Sequence, residues 1–203
     1  ACAPFRRLSL CKKNMEKIPT SSTKHDLLLD VCYAAKYEGN SIKAHYPKYQ
    51  TAYGNSPSEL CTVLARSFAD IGDIIRGRDL YRGGNNKRRQ QLENNLKTIF
   101  GKIHEDVTKT NSALQARYEG DKENYYQLRE DWWTANRETV WKALTCEAPD
   151  YAKYFRGTCG SGNNATRAPS HCRCENKSGE PQDQVPTYFD YVPQYLRWFE
   201  EWA

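Results

Sequence analysis

Leu27, Leu28, Val31, Ala34 and Ala35 recur three and four residues apart, the spacing that gathers side chains on one face of a helix. Thr23 and Asp26 stand just before them, where a reciprocal N-terminal cap requires them. A stronger start signal comes at Ser56-Pro57-Ser58-Glu59: a cap serine, a proline at the first helical position and a glutamate able to answer back to the cap. Behind it Leu60, Val63, Leu64, Ser67, Phe68, Ile71 and Ile75 line one face and predict a central core helix. Gly72 and Gly77 are expected to weaken its last turns, and Gly83-Gly84 interrupts the chain before the next periodic segment. Leu92, Leu96, Ile99, Ile103 and Val107 predict a third helix over 87–108 with a charged opposite face. Tyr125, Leu128, Trp132, Ala135, Val140 and Leu144 predict a fourth over 122–145, bent near 134–137. Over 148–185 the periodicity gives way to Pro, Gly, Asn and Ser, an irregular loop region. After Pro193 it resumes with Tyr195, Leu196, Phe199 and Trp202. The expected fold class is mainly α, a helix bundle with loop-rich margins.

The cysteines sharpen that picture. Cys2, Cys11, Cys32, Cys61, Cys146, Cys159, Cys172 and Cys174 leave the 84 residues between Cys61 and Cys146 without one, as if bridges pin the margins of a helical body. Eight is an even number, which favours a disulfide framework made in an oxidising compartment and an extracellular setting. With 38% apolar residues and a mean hydropathy of −0.89, the surface is heavily polar. No stretch approaches the roughly 18 consecutive apolar residues of a membrane span, and no charged-then-apolar leader opens the chain. It begins Ala1-Cys2 without an initiator methionine, so it is expected to be an excerpt or a processed form whose signal or anchor lies outside it.

Charge is unevenly placed. Residues 76–102 carry Arg76, Arg78, Arg82, Lys87, Arg88, Arg89, Lys97 and Lys102 against Asp79 and Glu93, a local balance of +6 in a chain whose net charge is +5. A stripe of this kind attracts an anionic partner such as a sulfated glycan, a sialylated glycoprotein or nucleic acid, against the plainer alternative of a solvated helix face. Nucleic acid is disfavoured by the cysteine framework and by the lack of a recognition motif. His25, His45, His104 and His171 are scattered, with no nucleophile motif, carboxylate pair or phosphate loop, so the reading is not an enzyme and needs no cofactor. Cys159, His171, Cys172 and Cys174 are residue types that zinc accepts, but Cys-Arg-Cys lacks the usual gap, and disulfides are the preferred use with no metal expected. Asn164-Ala165-Thr166 and Asn176-Lys177-Ser178 are glycosylation sequons and mark an exposed loop. The second half is rich in aromatics. Adjacent pairs such as Trp132-Trp133 are not expected to point inward together, which predicts that a minority form an exposed face.

Five ordered blocks carry a resemblance. They are Ala3-Pro4-Phe5-Arg6-Arg7, Asp70-Ile71-Gly72-Asp73-Ile74-Ile75-Arg76-Gly77-Arg78-Asp79-Leu80, Leu128-Arg129-Glu130-Asp131-Trp132-Trp133, Val140-Trp141-Lys142-Ala143-Leu144 and Pro193-Gln194-Tyr195-Leu196-Arg197-Trp198-Phe199-Glu200-Glu201-Trp202. Together they resemble the alpha class of Duffy-binding-like domain, found at the head of the variant erythrocyte membrane protein 1 adhesins of malaria parasites. The resemblance implies a disulfide-stapled helical adhesion domain of three subdomains, extending beyond both ends of this chain. On that map 1–22 end a loop-rich first subdomain, 23–150 form the central bundle, 151–190 are a cysteine-bearing irregular region and 191–203 start the third subdomain. It further implies a place on the extracellular face of a membrane protein at the infected-erythrocyte surface, with cytoadherence or rosetting, antigenic variation, and host ligands such as heparan sulfate, complement receptor or blood-group glycan. Neighbouring domains of the same adhesin are partners too, and a spacer with no ligand of its own is the alternative. The blocks are expected to hold the scaffold, and the segments 81–90, 111–124 and 158–184 between them to carry specificity. Cys146, Cys159, Cys172 and Cys174 fall between the Asp70 and Pro193 blocks, where members tied to rosetting more often have two. For pairing, short closure of the N-terminal segment onto the first helix favours Cys11 with Cys32, and Cys159, Cys172 and Cys174 are expected in staples within the loop.

Overall fold

Two neighbouring tryptophans show how the bundle is built. Trp133 is fully buried against Phe68, with ring centroids 5.0 Å apart, while Trp132 is 8% exposed and meets the edge of Phe100 at 6.1 Å. Both point inward, contrary to the expectation from their adjacency, because their helix is packed on two sides at once. The computed structural model describes residues 2–53, 59–83, 86–175, 178–179 and 184–203. Among these are seven helices: α1 (Phe5–Leu8), α2 (Lys24–Tyr53), α3 (Glu59–Arg76), α4 (Asn86–Thr110), α5 (Ser112–Arg117), α6 (Tyr126–Leu144) and α7 (Gln194–Trp202). An antiparallel pair, β1 (Gly157–Cys159) and β2 (Thr166–Arg167), sits in the irregular region. The fold is mainly α, as the periodicity predicts. Ser56, Pro57, Ser58, Gly84 and the sequon at Asn176 lie outside the described residues.

Helix α3 is central because it is buried nearly all round, on one side by apolar packing and on the other by a layer that includes Ser67, Asp70 and Asp73. Leu60, Leu64, Phe68, Ile71 and Ile75 are buried on the predicted face, and Ala65, Ala69 and Ile74 are buried beside them. Full burial of each such aliphatic side chain contributes about 1.5–3 kcal/mol. Gly72 does not weaken the helix; a β-carbon there would stand 2.8 Å from the Trp133 ring, so its absence is what lets α6 approach. Gly77 ends the helix in the left-handed region (φ 72°), with Arg78 N–H donating back to the Asp73 carbonyl at 2.8 Å. At the other end of the bundle Thr23 and Asp26 form the predicted cap: Thr23 N–H donates to Asp26 at 2.9 Å and Asp26 N–H to the Thr23 hydroxyl at 3.3 Å.

The fourth predicted helix is divided. Helix α6 begins only at Tyr126, after Tyr125 in the left-handed region (φ 54°), and then runs continuously through 134–137. Ahead of it lies α5, too short and exposed for a periodic signal, started by an Asn111 side chain that accepts from the backbone of Ala113 and Leu114. Arg117 and Tyr118 tether it to Asp131 of α6 at 2.6 and 2.9 Å, and the Arg117 hydrogen bond holds the Asp131 carboxyl below its ordinary range.

Two disulfides fix the irregular region. Cys159–Cys174 staples it to itself, as expected, but Cys172 bonds to Cys61 and pins the loop onto α3. Three of the four zinc-type residues of this region are thus in disulfides, and the fourth, His171, sits in a left-handed turn (φ 49°). Cys172 N–H donates to the Ala152 carbonyl and the Trp141 indole to the Cys172 carbonyl, which holds that turn against α6. The expected Cys11–Cys32 bridge is absent, and Cys2, Cys11, Cys32 and Cys146 are free thiols. The reason is register. Cys11 lies beside Glu38 and Ser41, whose distance along α2 from Cys32 is roughly 9–14 Å at 1.5 Å per residue, too far for a bond needing α-carbons within about 7 Å. Burial and the Glu38 carboxylate push the Cys11 thiol up to about 11.

Candidate ligand-binding surface

The eight basic residues of 76–102 do not act together. Arg76 is 2% exposed and spends its guanidinium on Asp73 (2.9 Å), Glu130 (3.2 Å) and the Asp190 carbonyl. It is removed from the candidate surface, because it sits in the last turn of a helix buried on every side. Arg78 is exposed but paired with Glu130 at 3.1 Å, and Lys102 reaches the Thr20 carbonyl at 2.7 Å in a separate depression near the start of α2. Lys87 and Arg88 are exposed on the first turn of α4.

Arg82, Arg89 and Lys97 are brought together. With them come Arg7 and Lys12 from the N-terminal segment, and the five basic residues line one cleft of about 300 Å³. Helix α4 supplies Arg89 and Lys97 two turns apart on one face, the turn after α3 supplies Arg82, and Asn124 and Tyr126 close the cleft from the start of α6. Two carboxylates also line it, and both are already engaged. Asp79 accepts from Arg7 and, at 2.9 Å, from Gln194. Glu93 holds Arg129 at 2.8 and 3.1 Å, and Arg129, fully buried, donates onward to the carbonyls of Ile74 and Ile75 that end α3. The cleft therefore presents a surplus of positive charge on a wall of amides and one phenol. The sequence offered no reason to group Arg7 and Lys12 with the stripe; Arg7 belongs to a block read as scaffold.

That block has a second partner. Arg6 donates to Asp70 at 2.7 Å and to Glu201 at 2.9 Å, Arg197 to Asp70 at 2.9 Å and to Asp73, and Gln194 to Asp70 at 3.1 Å. Burial pushes the Asp70 carboxyl up, but Arg6 and Arg197 outweigh it and hold the group below its ordinary range. One turn on, burial wins at Asp73, which is raised despite Arg197 and Arg76. Asp190 joins the same layer by accepting from Trp133 at 2.9 Å and Arg137 at 2.8 Å. The N-terminal, α3, α6 and α7 blocks of the sequence are thus held together by buried ion pairs.

Comparison with known proteins agrees with this architecture. In solved structures, the chain aligns over its whole length with the NTS-DBL1(alpha-1) domain of the Plasmodium falciparum membrane protein 1 (PfEMP1) from the varO strain, at 44% identity and a TM-score of 0.75, covering 43% of that chain. A PfEMP1 DBLbeta domain solved bound to ICAM-1 aligns over the whole length at 35% identity and a TM-score of 0.70, with 44% of that chain covered. Among curated proteins, the Duffy receptor beta form of Plasmodium knowlesi is 28% identical over 152 residues, 70% of this chain and 11% of the relative. The gamma form is 26% identical over 205 residues, 100% of this chain and 15% of the relative. The chain thus spans less than half of the solved domains and a small part of the curated relatives. The Duffy binding domain family matches residues 1–197, and the chain belongs to it.

Proposed function

We propose that this chain is part of a host-receptor-binding adhesion domain, displayed on the extracellular face of an infected erythrocyte, and that it binds a sulfated glycan through the basic surface of α4 and the cleft beside it. The observation that carries this reading is the convergence of Arg82, Arg89 and Lys97 on one cleft whose carboxylates, Asp79 and Glu93, are taken by Arg7 and Arg129. Clustered cations gain from closely spaced anions, and the attraction weakens in salt. Arg82, Arg89 and Gln90 of the stretch 81–90 and Asn124 of the stretch 111–124 line the cleft, so parts of two of the three stretches read as carrying specificity meet there. Receptor binding supports cytoadherence or rosetting, and no catalytic role is assigned. Among the described residues no helix is long and apolar enough to cross a membrane, which fits an anchor elsewhere in the protein. We read 1–22, 23–150, 151–190 and 191–203 as margins and body of a larger domain.

The spacer reading has its own support: Phe5, Phe199 and Trp202 are 75%, 71% and 51% exposed, and Phe5 and Trp202 touch edge to face at 5.7 Å. Such a face suits contact with neighbouring parts of the same adhesin. Heparin chromatography separates the two. Arg88→Glu with Arg89→Glu is expected to lower the eluting salt concentration clearly; an unchanged elution point would refute glycan binding by this surface.

A further inference from the structure

Helix α5 has six residues, and none of them is buried. A helix well below about 12 residues does not persist in water by itself, so its place depends on what grips it. Packing supplies little of that grip. Between α5 and the last turns of α4 lies a cavity of about 410 Å³, with His104 and Thr108 on one bank and Ser112, Gln115 and Glu119 on the other. From 111 to 119 only Tyr118 is buried and only Leu114 is half-buried. The grip is concentrated at the far end, on one carboxylate of α6. Asp131 accepts from Arg117 Nε at 2.6 Å, from Arg117 Nη2 at 2.7 Å and from the Tyr118 hydroxyl at 2.9 Å. His104 adds a weaker contact, with Nε2 3.4 Å from the Tyr118 carbonyl and the two ring centroids 6.1 Å apart.

We propose that residues 111–119 form a strap, latched to α6 at Asp131, that opens and recloses while the bundle stays folded. The bundle does not need the strap for its own closure, because α4 and α6 meet directly through Phe100 and Trp132. Opening breaks the latch and bares little beyond Tyr118 and part of Leu114, which is the low contact density that marks a locally unfolding unit. The latch itself faces solvent on the Arg117 side, where the guanidinium is 51% exposed and water can replace the carboxylate. The stretch 111–124, read as carrying specificity, then presents two surfaces: one with the cavity roofed, and one with His104 and Thr108 open to a partner. This inference does not depend on the basic cleft, whose residues lie elsewhere on α4 and in the N-terminal segment.

The test is native-state amide hydrogen exchange, read by mass spectrometry on the whole chain. Amides of 113–118 are expected to exchange at least about a hundredfold faster than those of 132–141 in α6. Arg117→Gln is expected to speed the strap amides a further fivefold or so, because hydrogen bonds to a charged group are lost, while the α6 amides and the urea midpoint stay unchanged. Asp131→Asn, which weakens the latch for both of its donors, is expected to speed them at least about tenfold. Strap amides protected as well as those of α6 in the unaltered chain would overturn the proposal, because 111–119 would then open only when the bundle does. Arg117→Gln exchanging faster in strap and α6 alike would overturn it too, by making the contact part of the scaffold. Unchanged exchange everywhere in Arg117→Gln would show that Asp131 is not the latch.

Discussion

Asp79 is a border between two arginine-rich regions built on opposite rules. On one side it accepts from Gln194, whose amide also donates to Asp70, in a buried layer where Arg6, Arg76, Arg137 and Arg197 each meet carboxylates. On the other it accepts from Arg7 in a cleft where positive charge exceeds the carboxylates left to meet it. The first arrangement places charge where it joins chain segments far apart in sequence; the second holds the charge that the proposed function assigns to an anion from outside the chain. Stability should therefore reside in the first and binding in the second.

The largest effect expected is on the buried side. Asp70→Asn leaves Arg6 and Arg197 without their shared carboxylate, and breaking a buried pair of this kind costs roughly 3–5 kcal/mol. Arg89→Ser, at a half-buried position lined by solvent, should stay within about 0.5 kcal/mol. Chemical denaturation of the two variants measures the contrast, and comparable losses would erase the distinction. Loss of the bridge between α3 and the loop comes next. Cys61→Ser with Cys172→Ser opens a bond spanning a sequence separation of 111, and should cost about 2–5 kcal/mol while sparing glycan affinity.

Titration distinguishes two carboxylates within the buried layer itself. Asp70 lies below its ordinary range, so its stabilisation is full above that range and disappears as pH falls through the depressed value. Asp73 is raised, so the folded state holds its proton longer and stability falls as pH climbs through the window between the ordinary and the raised value. The penalty of Asp70→Asn should therefore grow with rising pH in the acid range, and that of Asp73→Asn should shrink. Urea midpoints of both variants across roughly pH 3 to 7 check the signs; parallel curves would mean that the two groups share one environment.

Much of the buried side was legible from local pattern. Leu60 to Ile75 repeat with helical spacing and are buried almost without exception, and Thr23 with Asp26 cap α2 as their types and spacing require. What escaped was anything set by which helices meet. Gly72 reads as a weakness until Trp133 is placed against it, and Trp132-Trp133 reads as half exposed until α4 is placed on the far side. Cys11 and Cys32 looked a short closure apart, but the length of chain between two residues says nothing of their register along a helix. The cleft was half legible: local charge density marked Arg82, Arg89 and Lys97, while Arg7 and Lys12 arrive from another segment and Arg76, identical in type, turns inward.

Arg78 tests where the border runs. It is the residue of the stripe whose partner, Glu130, also holds the buried Arg76, so it belongs by contact to the scaffold and by exposure, at 57%, to the surface. Solvent screens the pair, and exposed ion pairs contribute about 0–1 kcal/mol. Arg78→Ser should therefore shift the denaturation midpoint far less than Asp70→Asn or loss of the Cys61–Cys172 bridge, because Glu130 keeps Arg76 at 3.2 Å. A loss comparable to that of Asp70→Asn would show that the ionic layer extends through Glu130 to the surface, and that the region held for ligand begins only at the cleft.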